Sequence, residues 1–176
     1  YGQSAGVFGF AGAGDVDVSN SGSISVITGG DAAVGVFARA DNGTATVVNS
    51  GDIYAGVEGV NGYIGDAAYG IIARGAYAQV GNSGDIAVNG QLYSAGIVAN
   101  SLYGSTVVTT GGSIQVYGLG IYAGYYGYYA AGTATGIFAA AQYGDTLVSN
   151  ASSIEVESFG AAVTGINATA LYDVNV

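Results

Sequence analysis

The sequence contains no cysteine, histidine, lysine, proline, methionine or tryptophan, and most of these gaps remove a class of chemistry. Without Cys or His there is no zinc site of the Cys/His kind, no thiol or imidazole nucleophile and no disulfide frame. Without Lys there is no Schiff base. Positive charge is nearly absent: Arg39 and Arg74 face twelve carboxylates, and the formal charge is −10. A nucleic-acid duplex or an anionic bilayer would repel such a surface, so neither is an expected partner. Charged residues make up 8% of the chain, against about 25% in an ordinary soluble domain. No run of eighteen or more apolar residues occurs, so no membrane insertion as a helix is expected.

What is present is glycine, tyrosine and aliphatic carbon. The 176 residues include 33 Gly and 15 Tyr, and 50% are hydrophobic. That is far from a disordered polar chain and enough for one continuous core, so residues 1–176 are expected to form a single domain. A chain opening at Tyr1 without Met is expected to be a processed or excised part of something longer.

One unit repeats along the whole chain. A glycine followed by an aliphatic residue recurs at Gly6-Val7, Gly35-Val36, Gly70-Ile71, Gly96-Ile97, Gly136-Ile137 and Gly165-Ile166. A second landmark reads Asn20-Ser21-Gly22-Ser23-Ile24, Asn49-Ser50-Gly51-Asp52-Ile53 and Asn82-Ser83-Gly84-Asp85-Ile86. Two degenerate copies follow, at Thr110 to Ile114 and Asn150 to Ile154. The landmark isoleucines lie 29, 33, 28 and 40 residues apart.

Within each repeat the apolar period is two, which indicates strands, and Gly, Asn, Ser and Asp supply the turns between them. Three short strands in about thirty residues fit one coil of a parallel β-helix, each strand bonding to its counterpart roughly 4.8 Å away in the next coil. The expectation is therefore an all-β fold, a single-stranded β-solenoid of five to six coils with three strands per coil. The lack of Pro agrees, because the ladder uses nearly every backbone N–H.

Stacked coils place equivalent residues in columns. Val7, Val36, Ile71, Ile97, Ile137 and Ile166 form an inward β-branched column, and Gly9, Ala38, Ala73, Ala99, Ala139 and Ala168 a small one. Asn20, Asn49, Asn82 and Asn150, with Thr110 substituting once, form a polar corner in which side-chain amides bond to one another and to the turns. Phe8, Phe37, Ile72, Val98 and Phe138 fall in the outward phase. That apolar stripe is either an interface, or covered by loops, or turned inward by a change of parity at a corner. The same phase sets Arg39 beside Arg74 with Asn100 beyond, and Asp41 or Asp31 is the expected counter-charge.

The connections 27–34, 56–69, 89–95, 117–135 and 157–164 vary in length and are expected along one edge. The longest holds Tyr117, Tyr122, Tyr125, Tyr126, Tyr128 and Tyr129. It is either a surface for proteins or sugars or a loop folded on its own solenoid. Gly12 to Val18 is similar to half of a glycine-rich calcium repeat but does not recur at nine-residue spacing, so no metal is expected. Asp15 with Asp17, and Glu155 with Glu157, are outward neighbours without a cleft, and read as solvated surface rather than a glycosidase pair. Asn42, Asn150 and Asn167 begin glycosylation triplets of the kind that arise by chance in such a composition. Ice binding needs an outward Thr column, and Thr does not recur in one.

The Asn-Ser-Gly-(Ser/Asp)-Ile landmark and the Gly-(Ile/Val)-x-Ala start resemble the passenger repeats of bacterial autotransporters and related β-helical surface adhesins, over nearly the whole chain. That resemblance implies a right-handed, three-sided β-helix displayed outside the cell, with roles in adhesion, aggregation or matrix. The expected function is non-catalytic and structural, without cofactor. The chain would be one stacked subunit of a head-to-tail filament or one segment of an adhesin stalk, with itself and matrix glycans as partners. The alternative is a polysaccharide-active enzyme built on the same fold.

Overall fold

The computed structural model describes residues 3–29, 32–57, 67–123, 128–130, 132–159 and 161–176. They form strands and turns, with no helix among them. The strands are β1 (Gln3–Ala11), β2 (Val16–Asn20), β3 (Ile24–Thr28), β4 (Ala32–Asn49), β5 (Ile53–Val57) and β6 (Ala67–Asn82). Next come β7 (Ile86–Gly90), β8 (Tyr93–Ser101), β9 (Thr106–Thr110), β10 (Ile114–Gly118), β11 (Ile121–Ala123) and β12 (Tyr128–Ala130). The chain ends with β13 (Thr133–Ala141), β14 (Thr146–Asn150), β15 (Ile154–Ser158), β16 (Val163–Ala170) and β17 (Val174–Asn175).

Two sheets hold the molecule together. One has ten strands and the other five, in the order β15-β10-β7-β5-β3. Pairing in both is parallel, and the antiparallel pair β11–β12 stands apart. Strands β4 and β6 each carry two segments, one pairing with β1 or β8 and the other with β2 or β9.

The register matches repeat to repeat. Val7 pairs with Val36, Val36 with Ile71, Ile71 with Ile97, Ile97 with Ile137 and Ile137 with Ile166. In the smaller sheet Ile24, Ile53, Ile86, Ile114 and Ile154 align likewise. One core cluster joins the two sheets, and Ile53, Ile71, Ile86, Ile97, Ile114 and Ile137 are its largest fully buried side chains. Burying each contributes about 2 kcal/mol, which makes these columns the main cohesive element.

The repeat-starting glycines have a packing reason. A Cβ on Gly70 would stand 2.5 Å from Ile86 Cγ2 and 2.5 Å from the Gly96 carbonyl oxygen. Gly6, Gly35, Gly96 and Gly136 would likewise meet Ile24, Ile53, Ile114 and Ile154. The glycine of one sheet is thus the socket for the landmark isoleucine of the other.

The glycine also changes the side-chain parity. Val34 and Phe37 share one cluster, three residues apart, whereas Val36 and Ala38 belong to the main core. Strict alternation cannot place residues three apart on one face; a bend at Gly35–Val36 can. Pairing between β4 and β6 passes from Val34 to Val36 without the glycine. The phenylalanine column is covered in its middle, where Phe37, Ile72 and Val98 are buried, while Phe8 at its end is exposed. Val34, Phe37, Ile72, Ala95 and Val98 form a second buried cluster, with Tyr69 and Phe138 packed against it.

Candidate functional site

The asparagine corner is a hydrogen-bonded ladder over three repeats. Asn20 Nδ2 donates to Asn49 Oδ1 at 2.7 Å, and Asn49 Nδ2 to Asn82 Oδ1 at 2.7 Å. The same amides donate across their own turns to the carbonyls of Gly22, Gly51 and Gly84 at 2.6 Å. At Thr110 the ladder weakens: Asn82 Nδ2 lies 3.5 Å from Thr110 Oγ1, whose hydroxyl donates to the Gly112 carbonyl at 3.3 Å. Asn150 Nδ2 still reaches the Ser152 carbonyl at 2.6 Å, but its buried Oδ1 has no partner. Every one of these hydrogen bonds is internal to the chain.

A second device escaped the reading of the sequence, which took Asp15 as solvated surface. Asp15 accepts the Thr44 N–H at 2.7 Å, Asp52 the Asp85 N–H at 3.2 Å and Asp145 the Asp173 N–H at 3.2 Å. Asp85 accepts both the N–H and the hydroxyl of Ser113, at 2.9 and 2.7 Å. Those bonds, the hydroxyl's foremost, hold the Asp85 carboxyl below the usual carboxylate range. Each Asp stands immediately before a strand and caps a backbone N–H one repeat further on.

The aromatic candidates divide. Phe8 is 63% exposed and stacks on the buried Phe37 with ring centroids 5.2 Å apart; Phe138 is half-buried. Tyr117 is half-buried and lines a groove of about 280 Å³ with Leu119, Glu157 and Phe159. Its backbone carbonyl accepts the Ser94 hydroxyl at 2.9 Å. Tyr122 pairs with Tyr129, and Ala123 with Tyr128, along the β11–β12 backbone. The side chains of Tyr122, Tyr128 and Tyr129 lie outside the described residues, as do Tyr125 and Tyr126.

The cations come together. Arg39 pairs in register with Arg74, and Arg74 with Asn100. Arg39 Nε donates to Asp41 Oδ1 at 2.6 Å, and its guanidinium carbon lies 5.7 Å from the centre of the Phe10 ring. Asp31, the other expected counter-charge, lies outside the described residues. The arginines line a groove of about 400 Å³ together with Asp41, Asn100, Leu102 and Gln142. Burial pushes the nearby Tyr69 phenol up, with Arg74 opposing the shift.

Among the described residues no three acidic side chains gather where a metal ion could sit. Asp15 is engaged with Thr44, and Glu155 Oε2 accepts Gln115 Nε2 at 3.2 Å; neither pocket described above includes Asp15, Asp17 or Glu155. Among the glycosylation triplets, Asn42 donates to the Gly12 carbonyl at 2.8 Å and Asn150 belongs to the corner. No helix among the described residues is long and apolar enough to cross a membrane.

No family model matches the chain, and neither a curated protein nor a solved structure is significantly similar to it.

Proposed function

We propose that this chain is a right-handed parallel β-solenoid, three strands to a coil, serving as a non-catalytic structural element outside the cell. In this reading β1, β2 and β3 make the first coil. Further coils add at both ends, from other copies in a head-to-tail filament or from continuation of the same solenoid in an adhesin stalk. The observation that carries it is the matched register of the columns, whose outermost strands pair on one side only among the described residues. Strands β1 and β3 pair on one side only, as do β15 and β16. Val7 and Ile166 are only partly buried, whereas their column mates Val36, Ile71 and Ile97 are fully buried, and Ile24 and Ile154 stand in the same relation to Ile53, Ile86 and Ile114. An unpaired parallel edge with its apolar column open is a template for another strand.

Negative-stain microscopy of concentrated protein tests the assembly: fibres are expected, and Ile166→Asp, which charges the edge, should shorten or abolish them. Uniformly dispersed single particles at high concentration would overturn the filament. Turnover of a neutral or acidic glycan that vanished in Asp15→Asn or Glu155→Gln would overturn the non-catalytic reading.

A further inference from the structure

The groove around the arginines is not explained by assembly at the strand edges. The chain has two cations and twelve carboxylates, and it sets both cations on directly paired residues of adjacent strands. Like charges placed opposite each other destabilise a sheet. If the arginines served only to neutralise the surface, they would lie apart among the acids. Asp41 matches one of them. Arg74, exposed on the groove wall, has no ion pair among the described residues. Among the described residues the groove therefore carries one positive charge without an ion-pair partner, in a strongly negative chain.

Beside Arg74 sits a second uncommitted group. Asn100 is the register partner of Arg74, and its side-chain oxygen is buried without a hydrogen-bond partner. Buried amide oxygens normally have one. An uncommitted amide next to a free guanidinium can take a ligand that presents an anion and a hydroxyl together.

We propose that this groove binds a carboxylate-bearing sugar, a hexuronate residue of a glycan, with the carboxylate on Arg74 and a ring hydroxyl on the Asn100 amide. The planar guanidinium matches a carboxylate with two parallel hydrogen bonds. Arg39 is held by Asp41 and the Phe10 ring, which leaves Arg74 as the cation open to the ligand. The exposed Gln142 supplies further donor and acceptor capacity, and Leu102 offers an apolar contact for the C–H face of the ring. A single free arginine balances one negative charge. The −10 of the chain works more strongly against a dianion such as inorganic sulfate than against a singly charged carboxylate. The volume of about 400 Å³ lies in the range of small-ligand clefts.

Isothermal titration calorimetry with the methyl glycosides of galacturonic and glucuronic acid provides the test, with methyl galactoside and acetate as controls. Saturable millimolar binding of at least one uronoside is expected, with no heat from the neutral sugar and at least tenfold weaker binding of acetate. Arg74→Gln, at an exposed position, should weaken binding at least tenfold. Arg74→Lys should weaken it by less, and Asn100→Ala at least threefold; circular dichroism checks that each variant is folded. Absence of saturable heat with both uronosides would overturn the proposal. So would equal binding of acetate that is indifferent to Asn100→Ala, which reduces the site to a bare charge. Sedimentation of the protein without sugar completes the set: an association state that changes with Arg74→Gln would give the groove to a second copy instead.

Discussion

The corner at Asn20–Asn49–Asn82 and the same corner at Thr110–Asn150 share one backbone register but differ in their side chains. In the first, amide donates to amide at 2.7 Å. In the second, the threonine hydroxyl has a single proton, spends it on Gly112, and leaves the Asn150 oxygen unmatched. Strand pairing nonetheless runs through Asn82, Thr110 and Asn150 without a shift. The backbone ladder and the buried isoleucine columns therefore hold the repeats in line, and the amide ladder is an addition that one repeat can forgo.

The comparison breaks most visibly at its intact half. Asn49→Ala removes the partner of Asn20, of Asn82 and of the Gly51 carbonyl, and should cost about 3 kcal/mol. Thr110→Ala should cost less than about 1 kcal/mol, and urea midpoints by circular dichroism measure both. If the two costs were equal, the amide ladder would not be a cooperative unit. The turn glycines come next. A Cβ on Gly84 would lie 2.5 Å from the Gly51 carbonyl carbon, whereas at Gly22 nothing lies within 4 Å. Gly84→Ala should cost about 2 kcal/mol and Gly22→Ala only a few tenths of a kcal/mol. Thr110→Asn sharpens the comparison from the other side. It restores the donor that Asn150 Oδ1 lacks and should raise stability by about 1 kcal/mol.

The smallest effect is electrostatic. The Asp85 carboxyl is held below its ordinary range by Ser113, and a depressed carboxylate binds fewer protons folded than unfolded. Its contribution is present above the unfolded-state value and fades as pH falls through the folded-state value. Asp85→Asn should therefore be slightly less stable than the parent at neutral pH. That difference should shrink on acidification, as read from urea midpoints across the acid range.

Most of the layering was legible in the sequence, because repeats in register leave residue columns. The glycine starts, the landmark isoleucines and the asparagines all align as their spacing implies. What spacing could not convey is that two of these columns are one device, since Gly70 and Ile86 sit in different sheets and meet only across the core. The phenylalanine column was left open between interface, loop cover and a change of parity, because counting by twos from Val36 carries no warning of the bend at Gly35. The carboxylate caps did leave a signal. Asp15, Asp52, Asp85 and Asp145 each immediately precede a strand, a position where a short acceptor side chain can reach a neighbouring N–H. In the groove, Arg39, Arg74 and Asn100 were already aligned by phase, and only the coordinates add that the Asn100 oxygen lacks a partner.

The amide ladder also has a direction. Each bond between its asparagines is given by the earlier residue and received by the later one, Asn20 to Asn49 and Asn49 to Asn82. The molecule is thus a vector with chemically unlike poles, its side-chain donors aimed toward one of them. In the proposed filament such bodies would extend each other nose to tail. Any fibre they build would carry that polarity along its length and grow at two unequal tips.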